Sequence, residues 1–210
     1  LKLHKRINTL PRKGIILEPL CGKVFGPEDH SLLLEQGGAI VGLDCSWAQI
    51  EPSVQQVMKR TRLQPRMLPL LLAANPVNWG KPGRLTTAEA LATVLYLVGR
   101  REQAAEVLGA FRWGQRFFEL NQEPLDAYAG AKSSAELVSL QFEFFDLDHL
   151  QEGDGAVPVD VEVVRPELDH PLQELASRRG GAQEPGGLED PPDLAVGAIL
   201  PRERGGELGH

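Results

Sequence analysis

Two short stretches of the sequence combine polar, charged and aromatic residues in the arrangement of a ligand-binding site. The first, LDCSW at 43–47, places an acid, a hydroxyl and an indole directly after the apolar run 39–43. If that run is a strand, these side chains follow its carboxyl end, where open α/β sheets bind ligands. Asp44 can accept hydrogen bonds from an ammonium group, and Trp47 offers a flat apolar surface. The alternative is a helix N-cap at Asp44 or Ser46 followed by a core tryptophan.

The second stretch runs from Leu68 to Glu89. Its apolar start leads into NPVNWG at 75–80, a rigid loop rich in backbone amides, and Lys81 and Arg84 then add positive charge. A capped helix is predicted from Thr86, and the first-turn amides of a helix are free donors. This arrangement suits a small polar ligand bound largely through backbone atoms. The alternative is an ordinary connection between a strand and a helix.

Standard catalytic and metal-binding motifs do not explain these stretches. The sequence has no GxGxxG, P-loop, GxSxG or HExxH motif, and its five histidines are scattered, so we assign none of them a catalytic role. Cys21 and Cys45 are too few and too isolated for a disulfide framework or a zinc site, and they fit a reducing compartment. No apolar run reaches the roughly 18 residues of a membrane span. We therefore expect no metal and no membrane association.

The net charge of −7 is distributed unevenly along the chain. Residues 1–84 carry 12 basic and 6 acidic residues, whereas residues 151–210 carry 5 basic and 13 acidic residues. A basic half is the expected electrostatic footprint of a phosphate-rich partner. An unevenly charged, solvated surface is the alternative, and charge by itself slightly favours it.

The periodicity of the sequence predicts an α/β fold with strands in the first half and helices in the second. We predict strands at 14–17 and 39–43 and a helix over 27–35, with a short helix over 52–58. The apolar run 68–73 is too short to distinguish strand from helix. Thr86-x-x-Glu89 is a capping-box pattern that starts an amphipathic helix ending at Gly99. Further helices are predicted at 101–111, 113–129 and 133–145.

Composition divides the chain into three regions. Residues 1–36 form an N-terminal α/β region, residues 37–150 form the core with the C-terminal helices, and residues 151–210 form a low-complexity acidic tail. The tail holds 10 of the 22 glycines and 7 of the 16 prolines and has no Phe, Trp or Tyr. Such a segment buries too little apolar area to offset its ordering entropy, so we predict disorder, above all over 177–210.

Three motifs carry a resemblance to a known family. They are LDCSW at 43–47, LPLLLAANPVNWGKPGRLTTAEA at 68–90 and FRWGQRFFELNQEPLDAY at 111–128. In this order they resemble the small-subunit ribosomal RNA aminocarboxypropyltransferases, over about residues 2–145. The most specific pieces are AANPVN followed by an aromatic and Gly, and the later pattern that begins at Phe111 and ends at Tyr128.

The resemblance implies a fold, a reaction and a compartment. Members look like SPOUT-type methyltransferases, with a knotted α/β core that binds S-adenosyl-L-methionine. They transfer the 3-amino-3-carboxypropyl group of that cofactor to N3 of a methylated pseudouridine in small-subunit rRNA. The step belongs to late ribosome maturation in the cytoplasm, acts on rRNA or a pre-ribosomal particle, and is expected of a monomer.

The resemblance also implies roles for individual residues. Asp44 would lie near the methionine amino group of the cofactor, while Trp47 would pack against the S-methyl group. As the only acid in the motif core, Asp44 is also the candidate catalytic base, a role that competes with its role at the ammonium group. Leu43 would meet the ribose through its backbone. The remaining cofactor contacts would be Leu17 and Pro19 at the adenine, with Leu68, Gly83 and Thr87 in the second half of the site. The RNA would be bound by basic residues: Lys59, Arg60, Arg62, Arg66, Lys81 and Arg84.

The start of the chain departs from the family pattern. Members usually carry a Thr or Ser just before Gly/Arg-Lys-Leu, whereas this chain starts at Leu1-Lys2-Leu3. The hydroxyl that would hold the methionine carboxylate is therefore missing, which predicts a truncated chain or weakened cofactor binding. Two alternatives stay open: a non-catalytic rRNA-binding assembly factor on the same fold, and a SPOUT-type RNA methyltransferase.

Overall fold

A computed structural model of the chain describes residues 2–4, 9–43, 47–146 and 196–199, and only the backbone for 2–4, 47–52 and 196–199. Within these ranges the chain forms a parallel sheet and a set of helices. The strands are β1 (Lys2–His4), β2 (Lys13–Leu17), β3 (Ala39–Leu43), β4 (Arg62–Arg66) and β5 (Val196–Ile199). The helices are α1 (His30–Leu34), α2 (Trp47–Met58), α3 (Thr87–Leu97), α4 (Arg101–Gly109), α5 (Gly114–Leu120), α6 (Gln122–Gly130) and α7 (Ser134–Phe144), with a 3-10 turn at Pro27–Asp29.

The described sheet has the order β1-β5-β3-β2-β4, and every pair of neighbouring strands is parallel. The strands predicted at 14–17 and 39–43 are confirmed as β2 and β3, and they pair with each other near the centre of the sheet. Both are continuous apolar runs because both faces of a parallel sheet are covered. The predicted α/β class is confirmed, and β1 to β4 precede the helices α3 to α7, whereas β5 follows them. Strands from 1–36 and from 37–150 share this sheet, and the predicted boundary between those regions stays a prediction.

Alternate residues of the central strands face two different cores. Ile15 and Ile40 pack in a larger cluster with Leu91 and Leu95 of α3 and with the later helices. The residues that follow each of them, Ile16 and Val41, pack on the opposite face, in a cluster that also holds Val54 and Val57 of α2 and Leu63. The period of two along the strands thus separates the helical layer that begins with α3 from the layer formed by α2.

Strand β4 was not predicted. Its sequence, RLQPR, mixes charged and polar residues with a proline, which is unusual for a strand inside a sheet. Proline is tolerated here because β4 lies at the edge of the described sheet and pairs only with β2. The edge position thus explains why an apolar run is absent from this strand.

The prediction of disorder over 177–210 is wrong for four of its residues. Val196–Ile199 forms β5, which lies between β1 and β3 and pairs with both. The segment LAVGAIL is a continuous apolar run, which is typical of a strand with neighbours on both sides. Composition averaged over the whole tail hid this run. The other residues of the tail lie outside the described residues.

The helices agree with the predicted pattern, with three differences. The helix predicted over 27–35 is the 3-10 turn followed by α1, and the helix predicted over 52–58 begins five residues earlier, at Trp47. α3 begins with the predicted capping box, in which Thr86 Oγ1 accepts from Glu89 N at 3.3 Å and Glu89 Oε2 accepts from Thr86 N at 2.6 Å. The helix predicted over 113–129 is two helices, α5 and α6, which meet at Asn121. In the described part of the chain, no helix has the length and apolarity needed to cross a membrane.

Candidate functional site

The carboxyl ends of β2 and β3 meet the start of α3. Because the strands are parallel, Leu17 and Leu43 end at the same edge of the sheet. Thr87, the first residue of α3, donates a hydrogen bond from Oγ1 to the carbonyl oxygen of Leu43 at 3.1 Å. The close approach depends on Gly42, since a Cβ at that position would lie 2.6 Å from Cγ2 of Thr87. This junction brings together three of the residues predicted to bind the cofactor.

The hydroxyl of Thr87 is engaged with the strand, so any ligand contact by Thr87 falls to its backbone amide. The first-turn amides of a helix lack partners within the helix. The capping box occupies the amides of Thr86 and Glu89. Among the described residues, the amides of Thr87 and Ala88 therefore remain as the helix-terminal donors beside the strand ends, where they favour an anionic or carbonyl group.

The apolar run 68–73 forms neither strand nor helix, although its backbone is extensively hydrogen-bonded. Along one edge, side chains of the helical layer bond to alternate residues of the run. Leu70 donates to Gln141 Oε1 at 2.7 Å and accepts from the Tyr128 hydroxyl at 3.2 Å. Leu72 donates to Asn121 Oδ1 at 2.7 Å and accepts from Asn121 Nδ2 at 2.9 Å. Side chains thus take the place of a neighbouring strand.

Along its other edge the same run pairs with the loop 80–83. Gly83 N donates to Leu71 O at 2.9 Å, and Ala73 exchanges bonds with Lys81 O at 3.1 Å and Gly80 N at 2.7 Å. Gly80 and Gly83 have φ values of +71° and +69°, which favour glycine. This pairing fixes Gly83, a predicted cofactor contact, beside the extended run.

Glu89 joins the extended run to the start of α3. Its side chain is fully buried, with 0% exposure. Oε1 accepts from the amides of Ala74 at 2.7 Å and Asn75 at 3.0 Å. Oε2 accepts from Asn75 Nδ2 at 2.9 Å and from N and Oγ1 of Thr86 at 2.6 and 2.9 Å. These five hydrogen bonds compensate for the burial of a carboxylate and fix residues 74–75 relative to Thr86.

The loop after the extended run presents an apolar surface to solvent. The exposed fraction is 83% for Val77 and 56% for Trp79. The loop is closed by its own hydrogen bonds, because Asn78 N donates to Asn75 Oδ1 at 3.0 Å and Lys81 N donates to Asn78 O at 2.9 Å. An exposed indole on a fixed loop, next to an exposed lysine, can stack on a planar ligand group.

Burial keeps the hydroxyl of Tyr128 neutral. Desolvation raises the pKa of Tyr128 well above its ordinary value. The hydroxyl therefore stays a hydrogen-bond donor to Leu70 O throughout the physiological pH range, and its contact with the extended run does not titrate.

The other predicted cofactor contacts are only partly described. Leu68 is half-buried and packs against the larger core cluster that contains Leu17, while Pro19 is a half-buried residue just after β2. Trp47 begins α2, four residues after Leu43 at the end of β3, and only its backbone is described. Asp44 lies outside the described residues. The structure thus places Leu17, Leu43 and Thr87 at one end of the sheet, with Gly83 on the adjoining loop.

Most of the predicted RNA-binding residues fall into two groups. Lys81 is exposed and Arg84 half-buried, both on the loop before α3. Lys59, Arg60 and Arg62 are exposed between α2 and β4. Arg66 stands apart from both groups, because its side chain is buried.

Arg66 is corrected from an RNA contact to a structural residue. It is 4% exposed, and its guanidinium forms a two-pronged pair with Asp29, at 2.8 Å from Nε and 2.6 Å from Nη2. Nη1 also donates to Pro65 O at 2.7 Å, and Nη2 donates to Gln64 Oε1 at 2.6 Å. All its charge is directed inward, where it ties the end of β4 to the 3-10 turn.

The sequence interpretation assigned no role to Asn121 or Gln141, the side chains that organise the extended run. Phe117, Asn121 and Leu125 recur at a spacing of four, and all three are buried. A polar residue inside an apolar stripe must find a partner, because an unpaired buried amide costs free energy. That rule identifies Asn121 as a buried hydrogen-bonding residue, although it does not name Leu72 as its partner.

Comparison with known proteins identifies relatives along most of the chain. The family described as "Ribosome biogenesis protein, C-terminal" matches residues 15–145. A relative from Methanosarcina acetivorans, named 16S rRNA aminocarboxypropyltransferase, is 43% identical over 143 residues, which are 68% of this chain and 79% of the relative. A relative of the same name from Methanothermobacter thermautotrophicus is also 43% identical over 143 residues, covering 68% and 82%.

A solved structure shows the same fold. The SAM-dependent rRNA:acp-transferase Tsr3 from Vulcanisaeta distributa superposes with a TM-score of 0.56 at 36% sequence identity. The match covers 68% of this chain and 73% of that protein.

Proposed function

Since this chain belongs to the family described as "Ribosome biogenesis protein, C-terminal", we propose that it is an rRNA aminocarboxypropyltransferase. It transfers the 3-amino-3-carboxypropyl group of S-adenosyl-L-methionine to small-subunit rRNA. The observation that carries the proposal is the junction between Leu43 and Thr87, which places a helix N-terminus beside the carboxyl ends of β2 and β3. Relatives at 43% identity and a solved structure at 36% identity, named for this activity, support it.

The described residues fit the chemical parts of S-adenosyl-L-methionine. Leu17, Pro19 and Leu68 supply an apolar surface for adenine, and the carbonyl of Leu43 supplies an acceptor near the ribose. The free amides of Thr87 and Ala88 suit a carboxylate or a carbonyl. When bound, the cofactor supplies an electrophilic carbon next to a sulfonium, so the protein needs to position groups more than to activate them.

The proposed acceptor is N3 of a methylated pseudouridine, modified during late maturation of the small subunit. N3 loses its proton and bonds to the side-chain carbon next to sulfur. The carbon–sulfur bond breaks, and its electron pair leaves with 5′-methylthioadenosine. Three carbons are attached to that sulfur, so orientation decides which one reacts. The extended run, through its hydrogen bonds to the loop 80–83 and to Glu89, fixes Gly83 and Thr87 relative to the strand ends and so provides that orientation.

We propose that Asp44 binds the amino group of the cofactor and accepts the N3 proton, and that Trp47 packs against the S-methyl group. In the sequence, Asp44 directly follows Leu43, the last residue of β3, and Trp47 begins α2. Asp44→Asn is expected to lower both cofactor affinity and the transfer rate, each by about tenfold or more, because an amide neither pairs with an ammonium nor takes a proton. Calorimetry and single-turnover assays measure the two separately, and unchanged values in both would exclude both roles.

Thr87→Val should weaken cofactor binding by about tenfold while the fold persists. Valine keeps the methyl group that packs on Gly42, but it leaves the carbonyl of Leu43 without its donor, at a cost of about 1–3 kcal/mol. Equilibrium binding of S-adenosylmethionine measures the effect, and Thr87→Ser should restore affinity. Thr93→Val is the matched control on the same helix, since Thr93 bonds only within α3. Equal losses in Thr87→Val and Thr93→Val would contradict the role of the junction.

Next to this junction, Trp79, Lys81 and Arg84 form the proposed contact with the RNA around the target nucleotide. The loop 75–85 contains two basic residues and no acidic residue. Its exposed indole can stack on a base, and base–aromatic stacking contributes about 1–3 kcal/mol. Phosphate contacts by Lys81 and Arg84 predict that the affinity for RNA falls with added salt.

The mass of the modified RNA tests the proposed reaction. The protein is incubated with S-adenosylmethionine and an rRNA fragment that carries methylated pseudouridine, and the nucleosides are then analysed by mass spectrometry. An added aminocarboxypropyl group, together with released 5′-methylthioadenosine, is the expected result. An added methyl group would make the protein a methyltransferase, and an unmodified but bound RNA would make it an assembly factor.

We further propose that the core has the knot of the SPOUT class, and that the protein acts as a monomer on a pre-ribosomal particle in the cytoplasm. The parallel sheet of five described strands and the likeness to an rRNA-modifying enzyme are consistent with these features. An experimental structure without a threaded chain would contradict the knot. Sedimentation as a dimer would contradict the monomer, and cell fractionation tests the compartment.

A further inference from the structure

Two groups of basic residues lie at opposite ends of the sheet. Lys13 and Arg62 begin β2 and β4, and they are direct partners in the strand register. Arg62 N also donates to the carbonyl of Arg12 at 2.7 Å. Because β2 and β4 are parallel, these residues lie at the amino end of the sheet, whereas Leu17 and Leu43 end the strands at the other.

Two more basic residues reach the same end from α2. Lys59 and Arg60 directly follow the last residue of α2, and their amides bond to Gln55 O at 3.2 Å and Val57 O at 3.0 Å. Thr61 Oγ1 also bonds to Val57 O at 3.0 Å, so the turn into β4 is fixed. We name the resulting set the amino-edge patch. It consists of the exposed residues Arg12, Lys13, Lys59, Arg60 and Arg62.

The charges of the amino-edge patch repel one another. Neighbouring strands lie about 4.8 Å apart, so Lys13 and Arg62 place like charges side by side, which is destabilising. The ion pairs among the described residues join Arg66 to Asp29, Arg101 to Asp126 and Arg116 to Glu119. Of the patch, Arg12, Lys13, Lys59 and Arg62 take part in none of these pairs. A polyanion bound across the patch would relieve this repulsion.

The patch is too far from the cofactor end to touch the reacting nucleotide. The five residues of β2 separate the two ends by about 13 Å, at roughly 3.3 Å per residue. With about 3.4 Å per stacked nucleotide, this distance corresponds to roughly four nucleotides. A ligand that reaches from the loop 75–85 to the patch must be an extended chain of phosphates.

We propose that the amino-edge patch is a second RNA-binding site. It holds the phosphate backbone of the rRNA about four or more nucleotides from the modified base. The proposal rests on the proposed function, because the rRNA substrate supplies the ligand. It divides the RNA contacts into two parts. The loop 75–85 contacts the target nucleotide, and the amino-edge patch anchors a flanking segment and sets the minimum length of a good substrate.

The test compares a long and a short RNA. The full chain and its triple variant Lys13→Gln, Lys59→Gln, Arg62→Gln are titrated with fragments of about 30 and about 6 nucleotides that carry the target. For the long fragment we expect an affinity loss of at least tenfold and a salt dependence that falls by about two to three charges. The short fragment and S-adenosylmethionine should bind to variant and wild type equally. The triple variant Arg112→Gln, Arg116→Gln, Lys132→Gln removes equal charge from the helical layer and should keep its affinity for the long fragment.

Three results would overturn the proposal. Unchanged affinity and salt dependence for the long fragment would make the patch an ordinary solvated surface. Equal losses for both fragments, or equal losses in both triple variants, would remove the distal position and leave only a general charge effect. Failure of the proposed function gives a different result, because wild-type protein would then bind RNA without transferring a group to it.

Discussion

Replacing Glu89 with glutamine is expected to lower the free energy of unfolding by about 2–5 kcal/mol. Glutamine has the same shape as glutamate, but one carboxylate oxygen is replaced by an NH2 group. In either orientation of the side chain, this NH2 group must face hydrogen-bond donors. At one oxygen position it would face the amides of Ala74 and Asn75. At the other it would face Thr86 and the side-chain amide of Asn75. Two or three buried donors thus lose their acceptor whichever way the side chain turns.

Denaturant unfolding monitored by circular dichroism measures this loss, and Glu136→Gln is the matched control. Glu136 occupies the same third position of α7, after a capping serine, and it accepts from Lys132 N at 2.7 Å. Glu136 is exposed, so water can replace the hydrogen bond that the substitution removes. The free energy of unfolding is therefore expected to change by less than about 1 kcal/mol. A stability loss no larger for Glu89→Gln than for Glu136→Gln would show that the buried carboxylate does not hold the loop.

Replacing Gly14 with alanine is expected to prevent the central sheet from forming. A Cβ at this position would lie 2.0 Å from Ala39 O and 2.4 Å from Ala39 N, both of which are backbone atoms of the neighbouring strand. The φ of Gly14 is +132°, a conformation that side chains rarely adopt. The strain and the overlap add at the first register pair of β2 and β3, Gly14 with Ala39, and together they should exceed about 4 kcal/mol.

Gly37→Ala separates the two causes. Gly37 also has a positive φ, +65°, but a Cβ there meets nothing within 4 Å. Its expected cost is about 1 kcal/mol, from backbone strain alone. Thermal melts and soluble yield compare the two variants. If Gly14→Ala melts within a few degrees of Gly37→Ala, the strands at this point can separate without loss of the fold.

Local patterns predicted the elements whose sequence carries its own signal. The apolar runs before Leu17 and Leu43 identified β2 and β3, and Thr86 with Glu89 identified the start of α3. Strand β4 has no such run, because its proline and charged residues fit a strand only at the edge of a sheet. The sequence does not reveal that edge position. The four residues of β5 carried the apolar signal, but the composition of their surroundings outweighed it.

The site was predictable in part, for a related reason. Motif and resemblance located the stretch from Leu68 to Thr87 but did not show how it is held. The basic pattern around Arg66 suggested a nucleic-acid contact, whereas its partner Asp29 lies 37 residues earlier in the chain. Only the topology brings the two together, and only the topology separates the amino-edge patch from the loop 75–85. Charge counted along a sequence cannot distinguish two ends of one sheet.

The extended run 68–75 has a consequence for the synthesis of the protein. Its side-chain partners are Glu89, Asn121, Tyr128 and Gln141, which lie 14 to 71 residues further along the chain. A growing chain that has emerged only as far as α3 therefore still lacks the partners of Leu70 and Leu72, and the backbone groups of these two residues stay bonded to water. The last of these hydrogen bonds, from Leu70 to Gln141, can form only when α7 has left the ribosome. The ability to bind the cofactor therefore comes late in the translation of this domain. A ribosome that stalls before that point releases a chain with strands but without a binding site.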